Sequence, residues 1–428
     1  MAKSEADREK RDKEIISQID QLKLISICRN LVKIPSYLGD EIPKANYVAN
    51  ELRNLGIEVT EIPIPGDFPV ERRNVLGILR GDGTGKSLLT GAHLDTFPPS
   101  EGQLHAHDGW LEDGKIYGKG TGDSHGNLAA LMEAMDTIKR SGVQLKGDLM
   151  LAATADELGF KSGAKAILDS GIKADMCIWG DCSEDPINIY ICNTGKVELE
   201  IRTVGEARFP LAAYTERVKV KTVNAVTSMN KIINSLTKMV VEEPYFHQKH
   251  PLLHGEGAAF YVGSIIGGST GVGDPTTKAG PSPGKFGLAS PVPTWCKLRV
   301  GARYWPGETA EQFIALVKKW IDKAKAEDPT IVAEVGCYLN HGNVPWENSP
   351  DAEVVKVLGR AIKYVHGKEP KLTGFTASGD STFYSQVPMD CVWYGCDMRV
   401  RAQDEHITVK ELTDLCKVYV KAILDVCT

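Results

Sequence analysis

Over residues 5–32 the apolar positions Ile15, Ile16, Ile19, Leu22, Ile25 and Leu31 recur at helical spacing among charges, which predicts one amphipathic N-terminal helix. Residues 45–55 read as a second helix stopped by Gly56. Short apolar runs follow at 57–62, 74–79 and 88–93, each of strand length. The pattern then alternates: helical at 128–139, extended at 149–155, helical at 163–168, extended at 176–180. Such alternation predicts an α/β fold, a mostly parallel sheet with helices on both faces.

After Asn193 the pattern changes. Residues 197–204 alternate as a half-exposed strand, 225–239 are helical, and 263–287 form a loop rich in Gly, Pro, Ser and Thr. Residues 295–304 are again extended and 310–326 helical, an order that suits a small two-layer α+β insertion. A helix at 350–365, a strand at 391–395 and a helix at 408–424 would return the chain to the first layer.

Composition narrows the functional classes. A chain of 428 residues exceeds one ordinary core and favours two domains. Fifty Lys and Arg against 56 Asp and Glu give a net charge of -6, without the long basic run that nucleic acid would select, so no nucleic-acid partner is expected. The apolar runs fall far short of the roughly 20 residues that cross a bilayer, so no membrane association is expected. The N-terminus mixes acidic and basic residues with no apolar signal core, which points to the cytoplasm. The ten cysteines lack paired metal-binding spacing and read as buried thiols.

Candidate chemistry gathers where strands end. GAHLDTFPP places His93 and Asp95 at the end of one strand, two apart and so on one side of it, where a carboxylate can orient an imidazole ligand. YGKGTGDSHG sets Asp123 and His125 at a helix entrance, ATADELG ends a strand in Asp156 and Glu157, and CIWGD ends the next in Asp181. Each acid alone would serve as a helix cap or loop residue. Four successive strand ends delivering His, Asp, Asp/Glu and Asp to one sheet edge instead suggest a divalent cation bound by oxygen and imidazole, with water activated on it.

Those segments, with CKLRVGARYWPGETAEQF, occur in the order of the M20 metallopeptidase family signatures, and the chain resembles that family over nearly its whole length. The resemblance implies a zinc-exopeptidase-like catalytic domain of residues 1–193 and 338–428, and a lid inserted at 194–337 that also makes a homodimer or higher homo-oligomer. It implies His93 as a metal ligand oriented by Asp95, Asp123 as the carboxylate that bridges two metals, and Asp181 completing the His93 metal. Glu157 matches a ligand of the other metal and Asp156 the general base; a register one residue later makes Glu157 the base.

Two departures alter the expected chemistry. Where relatives carry a metal-binding His in a stretch like AHAPDE, this chain has VRAQDE with Arg401, and a guanidinium cannot ligate. One divalent ion per chain is therefore expected, Mn2+ or Zn2+ with Co2+ as a further candidate; His406 is a substitute ligand or else a helix-start residue. Where amide-cleaving members carry an oxyanion-stabilising His in the lid, GEARF has Phe209, beside Arg208. Losing such a donor typically costs about 3 kcal/mol of transition-state stabilisation.

The expectation that follows is attack of metal-activated hydroxide on an electron-poor ring, replacing the amine of a nitro-substituted aminobenzoate and releasing ammonia. An amidohydrolase acting on an N-acyl amino acid or dipeptide, and a silent binding protein, are the alternatives. The substrate is expected to carry a carboxylate paired by Arg401, Arg208 or Arg303, with Phe209 also binding it, and His125 at the rim or else in the first turn of its helix. The loop at 267–287 is read as a flap closing across a subunit interface.

Overall fold

The computed structural model describes residues 2–66, 70–103, 105–206, 222–253, 260–269, 292–339, 343–397 and 404–428, apart from the side chains of 2–5 and 337–339. The chain divides into two compact units, one of residues 1–192, 346–375 and 379–428, the other of 193–345 and 376–378. The return to the first unit comes at Trp346 rather than at 338, because the strand over 332–339 pairs within the second unit.

In chain order the strands of the first unit are β1 (Glu58–Pro63), β2 (Arg73–Leu79), β3 (Leu88–His93), β4 (Trp110–Glu112), β5 (Lys115–Tyr117), β6 (Leu149–Thr154), β7 (Met176–Gly180) and β8 (Asn188–Asn193). The second unit contributes β9 (Gly195–Val204), β10 (Phe260–Gly268), β11 (Trp295–Tyr304) and β12 (Val332–Leu339). The chain then adds β13 (Trp346–Glu347), β14 (Lys371–Phe375), β15 (Asp390–Tyr394) and β16 (His406–Thr408) to the first.

The large sheet runs β1-β2-β6-β3-β7-β15-β8-β13, with β14 on β8. Its centre is parallel, where β3 pairs with β6 and β7, and β7 with β15. Pairing of β1 with β2, β2 with β6 and β8 with β15 is antiparallel, so the sheet is mixed, more so than the helix–strand alternation suggests. Every residue of β3, β6 and β7 is buried, which is why these strands read as continuous apolar runs instead of alternating.

From β3 the chain crosses first to β6 on one side and later to β7 on the other, so the connections diverge at the carboxyl end of β3. Open α/β sheets bind ligands at such a crevice. Gly91 lets the strands close there: a Cβ would lie 2.3 Å from the Ala152 carbonyl and from the Trp179 ring.

The second unit has an antiparallel sheet, β10-β11-β9-β12, on which helices Ala225–Glu242 and Ala310–Glu327 pack. Val197, Leu199 and Ile201 alternate inward from β9 against Met229, Phe313 and Trp320. The loop expected from 263 instead begins with β10, because Tyr261, Val262, Ile265 and Ile266 supply strand-forming residues between the glycines; the proposed flap over 270–287 lies outside the described residues. The N-terminal helix is likewise two, Ala2–Ile16 and Gln21–Lys33. Asp20 breaks it by accepting from the Lys23 N–H at 3.0 Å, while its own N–H donates to Glu133 at 2.9 Å. No described helix is long and apolar enough to cross a membrane. The nine cysteines whose side chains are described are buried, unpaired thiols.

Candidate metal centre

His93 closes β3, Asp181 follows β7 directly, and Asp123 stands in the turn Thr121–His125 that opens helix Gly126–Ser141. One ligand atom from each lies within 4.8 Å of the other two, and among the described residues this is the single such His/Cys/Asp/Glu group. His93 is fully buried and Asp181 3% exposed.

The imidazole is held at both nitrogens. Nδ1 faces the Asp95 carbonyl at 2.8 Å, and Nε2 faces Asp123 Oδ1 at 2.8 Å. Burial alone would lower the His93 pKa, but the hydrogen bond and charge of Asp123, then Asp95, hold it well above the usual value. Burial, then the charges of Glu157 and Asp123, push Asp181 well above the carboxylate range. Buried carboxylates in mutual repulsion beside an imidazole nitrogen aimed at them form a donor set that a divalent cation satisfies. The residues present therefore fit one.

Asp95 has a second task. Its Oδ1 and Oδ2 accept the backbone N–H groups of Glu157 at 3.1 Å and Leu158 at 2.8 Å, and Oδ1 lies 3.6 Å from His93 Nδ1. Burial opposes ionisation, yet His93 and these N–H groups hold its pKa below the ordinary value. The carboxylate thus ties the β3 end to the loop after β6.

Asp156 and Glu157, adjacent in sequence, have different surroundings. Asp156, at φ 72, accepts from Arg72 Nη1 at 3.0 Å and from the Ser162 N–H at 3.1 Å, and Arg72 also pairs with Glu41. Both of its oxygens are engaged by structural donors, which removes the ground for expecting it as the base. Glu157 stands outside the three-residue ligand group, and its charge acts on His93, Asp181 and Asp380. Its Oε1 accepts from Lys161 Nζ at 2.6 Å. Leu158, the next residue, offers no donor atom to a metal.

His125 does not line a rim. It is fully buried, its Nε2 lies 2.5 Å from Lys44 Nζ and 3.3 Å from the Leu94 carbonyl, and burial followed by the Lys44 charge lowers its pKa well below the usual value. Lys44 is also fully buried; desolvation lowers its pKa well below 10.5 against the pull of Asp95. As pH falls below about 10.4 the unfolded chain takes up a proton that the folded amine refuses, so Lys44 subtracts stability at neutral pH and nothing above its unfolded value. Lys44→Met is expected to be more stable at pH 7 by on the order of 1–2 kcal/mol, with the gain gone near pH 11; urea midpoints at the two pH values check it.

His406 lies on β16, where it pairs with Tyr117, its ring tilted by 40° against the tyrosine ring with centroids 5.2 Å apart; it is not part of the ligand group. Arg401, Arg208 and Phe209 lie outside the described residues. Two residues beside the centre escaped the sequence reading. Lys161 reaches Glu157 from one turn later, and Asp380, in SGDST after β14, is fully buried and accepts from Thr154 Oγ1 at 2.6 Å. Burial, then the Glu157 charge, pushes Asp380 up to about 8. Neither follows a core strand directly; the available signal was charge inside otherwise small or apolar stretches.

An imidazole and two carboxylates at the switch point of an α/β sheet, in a chain with an inserted α+β unit, define a metal-dependent hydrolase. Residues 89–425 match the model of Peptidase family M20/M25/M40, and the chain belongs to that family. It is 24% identical over 410 residues to a succinyl-diaminopimelate desuccinylase of Gluconacetobacter diazotrophicus, covering 92% of this chain and 94% of that one. It is 28% identical over 365 residues to an acetylornithine deacetylase of Proteus mirabilis, covering 79% and 81%. A tripeptidase structure from Staphylococcus aureus superposes with a TM-score of 0.73 at 19% identity, covering 95% and 99%.

Proposed function

We propose that this chain hydrolyses a C–N bond of a small carboxylate-bearing substrate, using one divalent cation held by His93, Asp123 and Asp181 and Glu157 as general base. The observation that carries the proposal is the convergence of that donor set, two of its three side chains buried, beside Glu157. When bound, the cation lowers the pKa of a coordinated water toward neutrality, and Mn2+, Zn2+ or Co2+ suits one imidazole with two carboxylates. Leu158 and Arg401, neither able to ligate, support a single ion.

Glu157 accepts the proton of the attacking water and returns it to the departing nitrogen, the two transfers expected of one carboxylate. Asp95 fixes the backbone of Glu157 and the tautomer of His93. Arg401 and Arg208 are the proposed partners of the substrate carboxylate, with Phe209 against its apolar part. Assembly into a homo-oligomer through the inserted unit is part of the same proposal.

The bond supported by the relatives is an amide, as the names desuccinylase, deacetylase and tripeptidase state for those proteins. A second reading has a specific observation in its favour: Phe209 cannot donate to an oxyanion. A substrate that stores developing charge in its own ring needs no such donor. Conversion of 5-nitroanthranilate to 5-nitrosalicylate is of this kind: water adds hydroxyl to the amine-bearing carbon, and the amine leaves as ammonia with the remaining proton.

Metal-loaded protein offered N-succinyl and N-acetyl amino acids, dipeptides and 5-nitroanthranilate separates the readings. Release of a carboxylic acid with a free amine establishes the first, and ammonia with no acid the second. Silence on the whole panel by fully loaded protein would overturn both in favour of a binding protein.

A further inference from the structure

Helix Ser162–Asp169 begins one residue after Lys161, which takes the left-handed conformation at φ 55. That turn directs its side chain inward. The residue is 5% exposed, and its ammonium donates to both the carbonyl and Oε1 of Glu157, each at 2.6 Å. Burial works against its charge, but Glu157, Asp380 and Asp181 outweigh burial and hold the pKa above the ordinary lysine value. A helix amino end already carries partial positive charge, so a buried cation there is unfavourable unless carboxylates demand it.

The demand is local. Among the described residues Glu157 has no Arg or second carboxylate hydrogen-bonded to it, unlike Asp156 with Arg72, and the position that follows it in sequence is the aliphatic Leu158. Three carboxylates beside a centre read as holding one cation leave negative charge uncompensated on the Glu157 side. Lys161 is the cation placed there.

We infer that the Lys161 ammonium supplies the positive charge that a second metal would bring, and that it is a positioning residue for Glu157. The inference rests on the reading of Glu157 as base. A lysine differs from a metal in offering no exchangeable coordination position, so it holds the carboxylate without engaging substrate. Having no fixed planar fork, it fits a single oxygen and the carbonyl behind it.

A charge-compensating lysine and a merely structural one predict opposite changes in metal affinity. Removing a positive charge close to Asp181 strengthens the field at the cation, so Lys161→Met is expected to bind Mn2+ about tenfold more tightly by calorimetry. With Glu157 released, kcat is expected to fall on the order of 10²-fold while KM stays within about threefold. Lys161→Arg, which keeps the charge, is expected to retain wild-type affinity and recover at least about tenfold of the lost kcat. Unchanged or weakened Mn2+ binding by Lys161→Met, or an unchanged kcat, would overturn the inference; if that variant does not fold, the same limits apply to Lys161→Gln. Should Glu157→Gln keep full turnover while Lys161→Met still tightens the metal, the base assignment fails and the compensating charge stands. The calorimetric result is read without any substrate, so failure of the substrate readings does not mask it.

Discussion

Asp123→Ala is expected to lose tightly bound metal and to lower kcat on the order of 10³-fold or more. The reason is thermodynamic: a catalytic cation brings the pKa of water from about 15.7 to near 7. Asp123 Oδ1 lies 2.8 Å from His93 Nε2, so removing it strips an anion from the centre of the donor set. It also relieves repulsion on Asp181, whose pKa its charge helps to raise. The variant should therefore fold while failing to load. Metal content after gel filtration, alongside kcat with and without excess Mn2+, checks this, and chelated wild-type protein should reproduce the loss and regain activity on reloading. Near-stoichiometric metal with wild-type turnover in Asp123→Ala would remove the basis of the proposed function.

The second large effect separates two adjacent acids. Glu157→Gln should keep its metal and fold but lose on the order of 10²–10⁴-fold in kcat, the range for a lost general base. Asp156→Asn should do the reverse. It takes one of two carboxylate charges, Asp156 and Glu41, from the buried Arg72 and weakens the bond to Ser162 N–H, and breaking a buried pair costs about 3–5 kcal/mol. Its folded fraction should turn over within about tenfold of wild type. Urea unfolding and kcat on both variants decide the matter, and the opposite pattern would return the base role to Asp156.

That pair also marks the limit of what the sequence disclosed. His93 and Asp181 could be found because the apolar runs of β3 and β7 point directly to the residues that follow them. Asp123 was reachable through its glycine-rich approach to a helix. The register of Asp156 and Glu157 was not, since both follow β6 and only φ 72 at Asp156 and its long-range partner Arg72 separate their directions. His125 fared worse: the buried partner Lys44 lies 81 positions away, and no local pattern foretells that pairing. In the fold, buried parallel strands announced themselves by continuous apolar character. The outer strands did not, because β8, β13 and β14 owe their existence to pairing with distant strands, which no short window contains.

One carboxylate, that of Asp95, has a mechanical consequence. The residue lends its carbonyl to the imidazole and its side-chain oxygens to the amides of Glu157 and Leu158. Imidazole and base therefore share a footing, and thermal drift of either loop carries both, so their separation fluctuates less than the displacement of each from the sheet. Under the proposed single-ion reading, this shared anchor gives that loop the alignment a second ion would otherwise supply.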